Sequence, residues 1–161
     1  MDARRRGELI AQYEAGYDAV IAALDSMTDA EWDAHEAPGE WSPREVVHHL
    51  ADSEMTSAIR LRRLLVEDDP LIQGYDEAVF AQRLHYDRPV ETSLRAFEGA
   101  RRSTAALFPY LRDADWQRAG THSQSGRYTA ADWLAIYAEH AFIHADQIRR
   151  ARATVKTTGG A

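Results

Sequence analysis

The sequence predicts an all-α fold, a four-helix bundle, and three observations carry the prediction. Apolar residues recur at helical spacing in four long stretches, two of those stretches open on helix-capping signals, and one succession of elements occurs twice. The succession is a helix, an Asp-Ala-acid-Trp turn, a loop with glycine, an aromatic residue, a Ser or Thr cap, and a second helix. Asp29-Ala30-Glu31-Trp32 and then Trp41-Ser42-Pro43 are echoed by Asp113-Ala114-Asp115-Trp116 and then Tyr128-Thr129-Ala130. Two such hairpins packed face to face make a bundle of approximate two-fold symmetry, with the second and fourth helices as equivalent elements. Short acidic turns also match by chance, so the repeat needs the packing to test it.

The first helix is expected from about Asp2 to Leu24, with Leu9, Ile10, Tyr13, Tyr17, Val20, Ile21 and Leu24 at helical spacing. Thr28 to Trp32 can form a short turn, and Pro38-Gly39 breaks the chain after it. Ser42-Pro43-Arg44-Glu45 starts the second helix: serine caps, proline suits the first helical position, and Glu45 completes a capping box. That helix is expected to reach about Val66. Its apolar stripe runs through Val46, His49, Leu50, Ser53, Ser57, Arg60, Leu61 and Leu64, while His48 falls with Arg44, Asp52 and Met55 on a more polar side. A long connection from about Glu67 to Pro89, holding a short helix from Asp76 to Leu84, can carry the chain back across the bundle. The third helix is expected from about Thr92 to a stop or kink near Pro109. Residues from Asp113 to Tyr128 are read as irregular. Thr129 then caps the fourth helix, whose stripe is Trp133, Ile136, Tyr137, His140, His144, Gln147 and Ile148. Residues 1–152 form the expected domain, and 153–161 an expected flexible tail.

The chain's 161 residues suffice for one domain with its own core. A net charge of −7 and the lack of any concentrated basic stripe argue against nucleic acid as a partner. No apolar run approaches a membrane span and none follows the basic N-terminus as a signal peptide would, so a cytoplasmic protein without membrane association is expected. Cysteine is absent, so any metal must be held by nitrogen and oxygen.

His140 and His144 stand four apart, one helical turn, so both imidazoles can reach one point beside the helix. A lone pair of this kind also occurs as two satisfied core or surface histidines, so a site depends on a third ligand. Helical phase offers His49 in preference to His48, and Ser53 and Ser57 leave room beside it. Three neutral imidazoles suit a divalent ion such as zinc, nickel, iron or cobalt, with a position left for water or substrate. Water held there would be acidified towards a pKa of about 7, and a thiol would be activated similarly. Asp52, Glu54, Glu139 and Gln147 are candidates to hold the far ring nitrogens. Arg60, on the inward stripe, needs an anion or carboxylate and is a candidate for substrate recognition; no catalytic residue is assigned. Core packing explains Trp133 and Tyr137. His85 and His122 fall in loop-like surroundings; surface is the first reading for each, lining of the mouth of the site the second, and nothing argues for His35.

The run from Trp41-Ser42-Pro43-Arg44-Glu45 through His48-His49-Leu50-Ala51-Asp52 to Glu54, the segments Ile59-Arg60-Leu61 and Pro70-Leu71-Ile72, and the closing Tyr137-x-x-His140-x-x-x-His144-x-x-Gln147-Ile148 resemble the DinB-like superfamily. The resemblance is closest to its YfiT-like branch of metal-dependent hydrolases and bacillithiol transferases, and covers most of the chain to about Arg152. It implies an up-down-down-up four-helix bundle with a long crossover between helices two and three. It also implies one divalent ion on His49, His140 and His144, nickel or zinc first, with iron, cobalt or manganese as further candidates. Function by this resemblance is low-molecular-weight-thiol S-transfer, with metal-dependent hydrolysis or non-catalytic metal or small-molecule binding as alternatives. A small-molecule substrate and a homodimer are the implied partners. Some members carry a further histidine after the last ligand, where this chain has Ala145.

Overall fold

A computed structural model describes residues 1–158, and its architecture is set by four long helices and a short crossover layer. They are α1 (Ala3–Leu24), α3 (Pro43–Val66), α5 (Glu91–Ala105) and α6 (Ala130–Thr158), with the short α2 (Asp29–Trp32) and α4 (Glu77–Arg83) in the connections. The capping chemistry places the helix starts. Asp2 accepts from Arg5 N–H, Ser42 and Glu45 hold each other's backbone N–H groups, and Thr129 and Asp132 do the same at α6. Asp76 caps α4 by accepting from Val79 N–H.

Contacts between helices fix their directions. Along α1 and α6, Tyr13 meets Trp133, Gly16 faces Ala141 and Ala23 accepts from Arg152, so the two run parallel. Along α3 and α5, His48 meets Ser93, Glu54 meets Arg101 and Arg62 meets Thr104, again in parallel. Between α3 and α6 the order reverses: Ser57 takes the Trp133 indole N–H and His49 meets His140. The bundle is therefore up-down-down-up. Consecutive long helices do not pack as hairpins, contrary to the expectation from the repeat; α1 lies chiefly along α6 and α3 along α5. Their pairing still suits a two-fold that exchanges α1 with α5 and α3 with α6, which makes the α3–α6 contact the axis of the repeat.

Three segments differ from expectation. The crossover and the stretch after α5 contain a small sheet, β1 (Leu71–Ile72) parallel to β2 (Ala119–His122), and β2 antiparallel to β3 (Gly126–Thr129). Strands this short have too few alternating apolar residues to announce themselves. Gly120 is required here, because a Cβ would strike the Pro70 carbonyl that accepts from Thr121 N–H. Helix α5 stops at Ala105, and Pro109 lies in a separate 3-10 turn, Phe108–Tyr110. Finally, α6 continues to Thr158, past the boundary expected at residue 152, because no glycine or proline breaks the run before Gly159. Residues 153–158 are thus helix, and 159–161 lie outside the described residues.

The core has two apolar parts. Tyr13, Leu61, Phe108, Trp116 and Trp133 fill one end; Val20, Val47, Leu50, Phe97 and Ile148 fill the other. Between them lies a buried polar layer that includes Glu54 and Arg101. None of the described helices is long and apolar enough to cross a membrane.

Candidate metal centre

The antiparallel crossing of α3 and α6 brings His49 against His140, and the turn from His140 to His144 adds the third ring. His140 Nε2 lies 3.2 Å from His49 Nε2 and 3.2 Å from His144 Nε2. These were the three residues selected by spacing and by resemblance, and among the described residues they form the group with metal-ligand geometry. His48 is not part of it. Its place differs from the polar side expected: the ring is fully buried, with Nδ1 against Ser93 Oγ at 2.8 Å and Nε2 against the Arg88 carbonyl at 3.0 Å. The crossover covers that face of α3, which helical phase alone does not show.

Hydrogen bonding orients the trio. His144 Nδ1–H donates to Gln147 Oε1 at 2.8 Å, which leaves the Nε2 lone pair pointing inward. His49 Nδ1 is buried without a partner among the described residues. Burial, reinforced by His144, pushes the His49 pKa down to about 3. Burial likewise depresses His140 well below its ordinary value, with His144, His49 and Arg101 adding to it; His144 falls less, because Gln147 opposes the effect of burial. All three rings are thus neutral near pH 7, the form that ligates metal. Neutral imidazoles carry one proton each, so three converging Nε2 atoms cannot satisfy one another. A divalent ion fits this arrangement, since the 3.2 Å spacing suits nitrogens sharing an ion at about 2.0–2.1 Å.

Of the proposed ring-holding groups, only Gln147 takes that part. Glu54 is committed to Tyr13 and Arg101, Asp52 accepts from the Tyr86 hydroxyl, and Glu139 is exposed. Trp41, read from sequence as the aromatic before a cap and as the start of the family-resembling run, covers one side of the trio, its ring centroid 4.5 Å from that of His49 and 6.4 Å from that of His144. The other side opens on a cavity of about 220 Å³ that includes His140 in its wall. Arg60 also lines it, donating to Tyr137 Oη at 3.1 Å and to the Gln73 carbonyl at 2.7 Å. Tyr137 is therefore more than core packing: its ring is buried and its hydroxyl faces this cavity wall. Glu77 and His122 complete the far side, whereas His85 and His35 are exposed elsewhere. A larger cavity of about 490 Å³, between α1 and α5, contains none of the three histidines.

Comparison with known proteins agrees with the fold. A family model described as the DinB superfamily matches residues 12–148. A protein of Oceanobacillus iheyensis, named provisionally as a metal-dependent hydrolase, is 34% identical over 118 residues, 73% of this chain and 69% of its own. The fold of YfiT from Bacillus subtilis, described as a probable metal-dependent hydrolase with an unusual four-helix bundle topology, superposes with a TM-score of 0.87 at 27% identity, covering 100% of this chain and 91% of that one. A mycothiol-dependent maleylpyruvate isomerase shares the fold at a TM-score of 0.72 and 13% identity, covering 89% of this chain and 60% of that one. With its bundle, its histidine trio and a family match across most of its length, the chain belongs to the DinB superfamily.

Proposed function

We propose that this protein is a metal-dependent enzyme acting on a small molecule, with His49, His140 and His144 as the ligands and hydrolysis as the reaction best supported. The observation that carries it is the convergence of three neutral Nε2 atoms beside a cavity rather than inside closed core. Three imidazoles suit zinc, nickel, iron or cobalt, and the family resemblance puts nickel or zinc first, with manganese as a further candidate. A divalent ion held there would acidify a bound water towards a pKa of about 7 and polarise a carbonyl. Gln147 holds the His144 ring, Trp41 excludes water from one side, and the Tyr137 side admits substrate. The names of the relatives support hydrolysis. Thiol S-transfer is the second reading: three neutral donors leave the ion's charge uncompensated, and an ion so held would lower the pKa of a bound thiol as well as that of water.

Protein reconstituted with zinc, nickel or cobalt and offered a panel of small esters and amides decides between them. Turnover without added thiol, abolished by a chelator and by His140→Ala, is the expected result. Turnover that requires a thiol moves the assignment to transfer. Full metal occupancy with no turnover under either condition contradicts both and leaves a binding module.

A further inference from the structure

Arg60 stands apart from the other arginines withdrawn from solvent in this protein. Arg44 closes on Asp33, Arg63 on Glu67, Arg101 on Glu54 and Arg152 on Glu31. Arg6 and Arg118 likewise pair with Asp113 and Asp68. Arg62 and Arg88 have neutral partners, but several each: the Ala58 carbonyl, Ser103 and Thr104 for Arg62, and the Leu84 and His85 carbonyls and Ser93 for Arg88. Arg60 has two, the Tyr137 hydroxyl and the Gln73 carbonyl; its Nε is buried without a partner, and among the described residues no carboxylate stands within ion-pair distance of it. A partly desolvated guanidinium held by neutral groups retains its full charge, and the cost of that arrangement is offset once an anion arrives.

Its neighbours prepare the same place. The Tyr75 ring lies under the guanidinium at 5.6 Å, and Tyr137 holds it from the side. Tyr137 Oη accepts from Arg60 and also lies within hydrogen-bond reach of Ser53, so the hydroxyl and its polar neighbours form one edge of the place. Arg60, Tyr137, Ser53 and His140 share one cavity of about 220 Å³. One carboxylate lines that cavity, Glu77 on α4; burial pushes it up, and Arg60 acts in the opposite direction. His122 is held below its ordinary value by burial and by Arg60, so it adds no cation to the wall near neutral pH. The cation facing the cavity is therefore that of Arg60.

We propose that the substrate is a small molecule bearing a carboxylate-class anion, which docks on Arg60 and the Tyr137 hydroxyl while its reactive end reaches the open side of the three histidines. Arginine suits this task, since its planar fork matches the two oxygens of a carboxylate. The inference rests on the metal-centre reading for the reactive end, and on Arg60 alone for the anion.

The test uses cobalt-loaded protein, with 3-mercaptopropionate and its methyl ester as probes and the cobalt absorption spectrum as readout. The acid is expected to bind about tenfold more tightly than the ester, the scale of one charge-assisted hydrogen bond. Arg60→Met should bring the two affinities together, and Arg60→Lys should retain part of the difference, with cobalt content unchanged in both. Equal affinities in wild type, or the same preference in Arg60→Met, overturn the inference while the metal centre stands. Cobalt uptake is scored separately, and its failure strikes the metal-centre reading. In that case, or if neither probe alters the spectrum, calorimetry with 3-mercaptopropionate decides: heat in wild type that is lost in Arg60→Met supports the anion dock, and none in wild type overturns it.

Discussion

Two polar clusters interrupt the core of this bundle, and they differ in where their partners come from. Arg101 donates from Nε to the Tyr13 carbonyl at 2.8 Å, from Nη1 to Glu54 at 2.6 Å and from Nη2 to the Tyr137 carbonyl at 3.1 Å, with its guanidinium 3.9 Å from the Tyr13 ring centroid. Glu54 accepts in addition from the Tyr13 hydroxyl. Gly16 makes the arrangement possible, since a Cβ there would collide with the guanidinium and come within 2.8 Å of Ala141 Cβ. Everything Arg101 needs is inside the protein. The histidine trio, one turn further along α6, is the reverse case: its three Nε2 atoms converge with too few protons to pair them all, and among the described residues His49 Nδ1 has no partner. A satisfied network ties helices together, whereas an acceptor cluster lacking protons awaits a cation. Tyr137 touches both, its carbonyl held by Arg101 and its hydroxyl by Arg60.

The comparison breaks most visibly at Arg101. Arg101→Met strands the buried Glu54 carboxyl, and about 3–5 kcal/mol of stability should be lost. Removing both partners, as in Arg101→Met with Glu54→Leu, should recover much of that. Urea unfolding reads both variants, and an unchanged midpoint in the single variant would show that the cluster is not structural. A smaller effect is expected from pH on the metal-free protein. An unfolded histidine titrates near 6.5, while burial sets His49 at about 3, so between those values the unfolded chain binds a proton that the fold excludes. Stability from this source is complete above the unfolded value and lost as pH falls, by about 2 kcal/mol at pH 5 for His49 alone. Unfolding measured from pH 7 to 5 should slope less in His49→Phe than in wild type; identical slopes would contradict the assigned burial. An effect of similar size belongs to Gln147→Leu, which should weaken metal binding by about 10–100-fold in chelator competition without changing the number of ions bound. Unchanged affinity would mean that Gln147 does not orient His144.

The bundle and the trio were legible because both depend on local periodicity. Capping residues at Ser42 and Thr129 mark two of the helix starts, and a four-residue step puts His140 and His144 on one face whatever surrounds them. What was not legible depends on the crossover. His48 is buried because the chain near Arg88 and Ser93 lies over it, and Leu71–Ile72 becomes a strand because a distant segment pairs with it. Arg60 was singled out by its phase, but that it meets Tyr137 and Gln73 rather than a carboxylate is a tertiary fact. Trp41 enters the sequence reading as the aromatic before a cap and as the start of the run that carries the family resemblance; that its ring lies against His49 is again a tertiary fact.

Metal content by elemental mass spectrometry, on protein purified without a histidine tag, tests the central claim most directly. The trio predicts about one equivalent of a divalent ion in wild type and in His48→Ala, and its loss in His49→Ala and His140→Ala. Equal metal content in wild type and all three variants would contradict it.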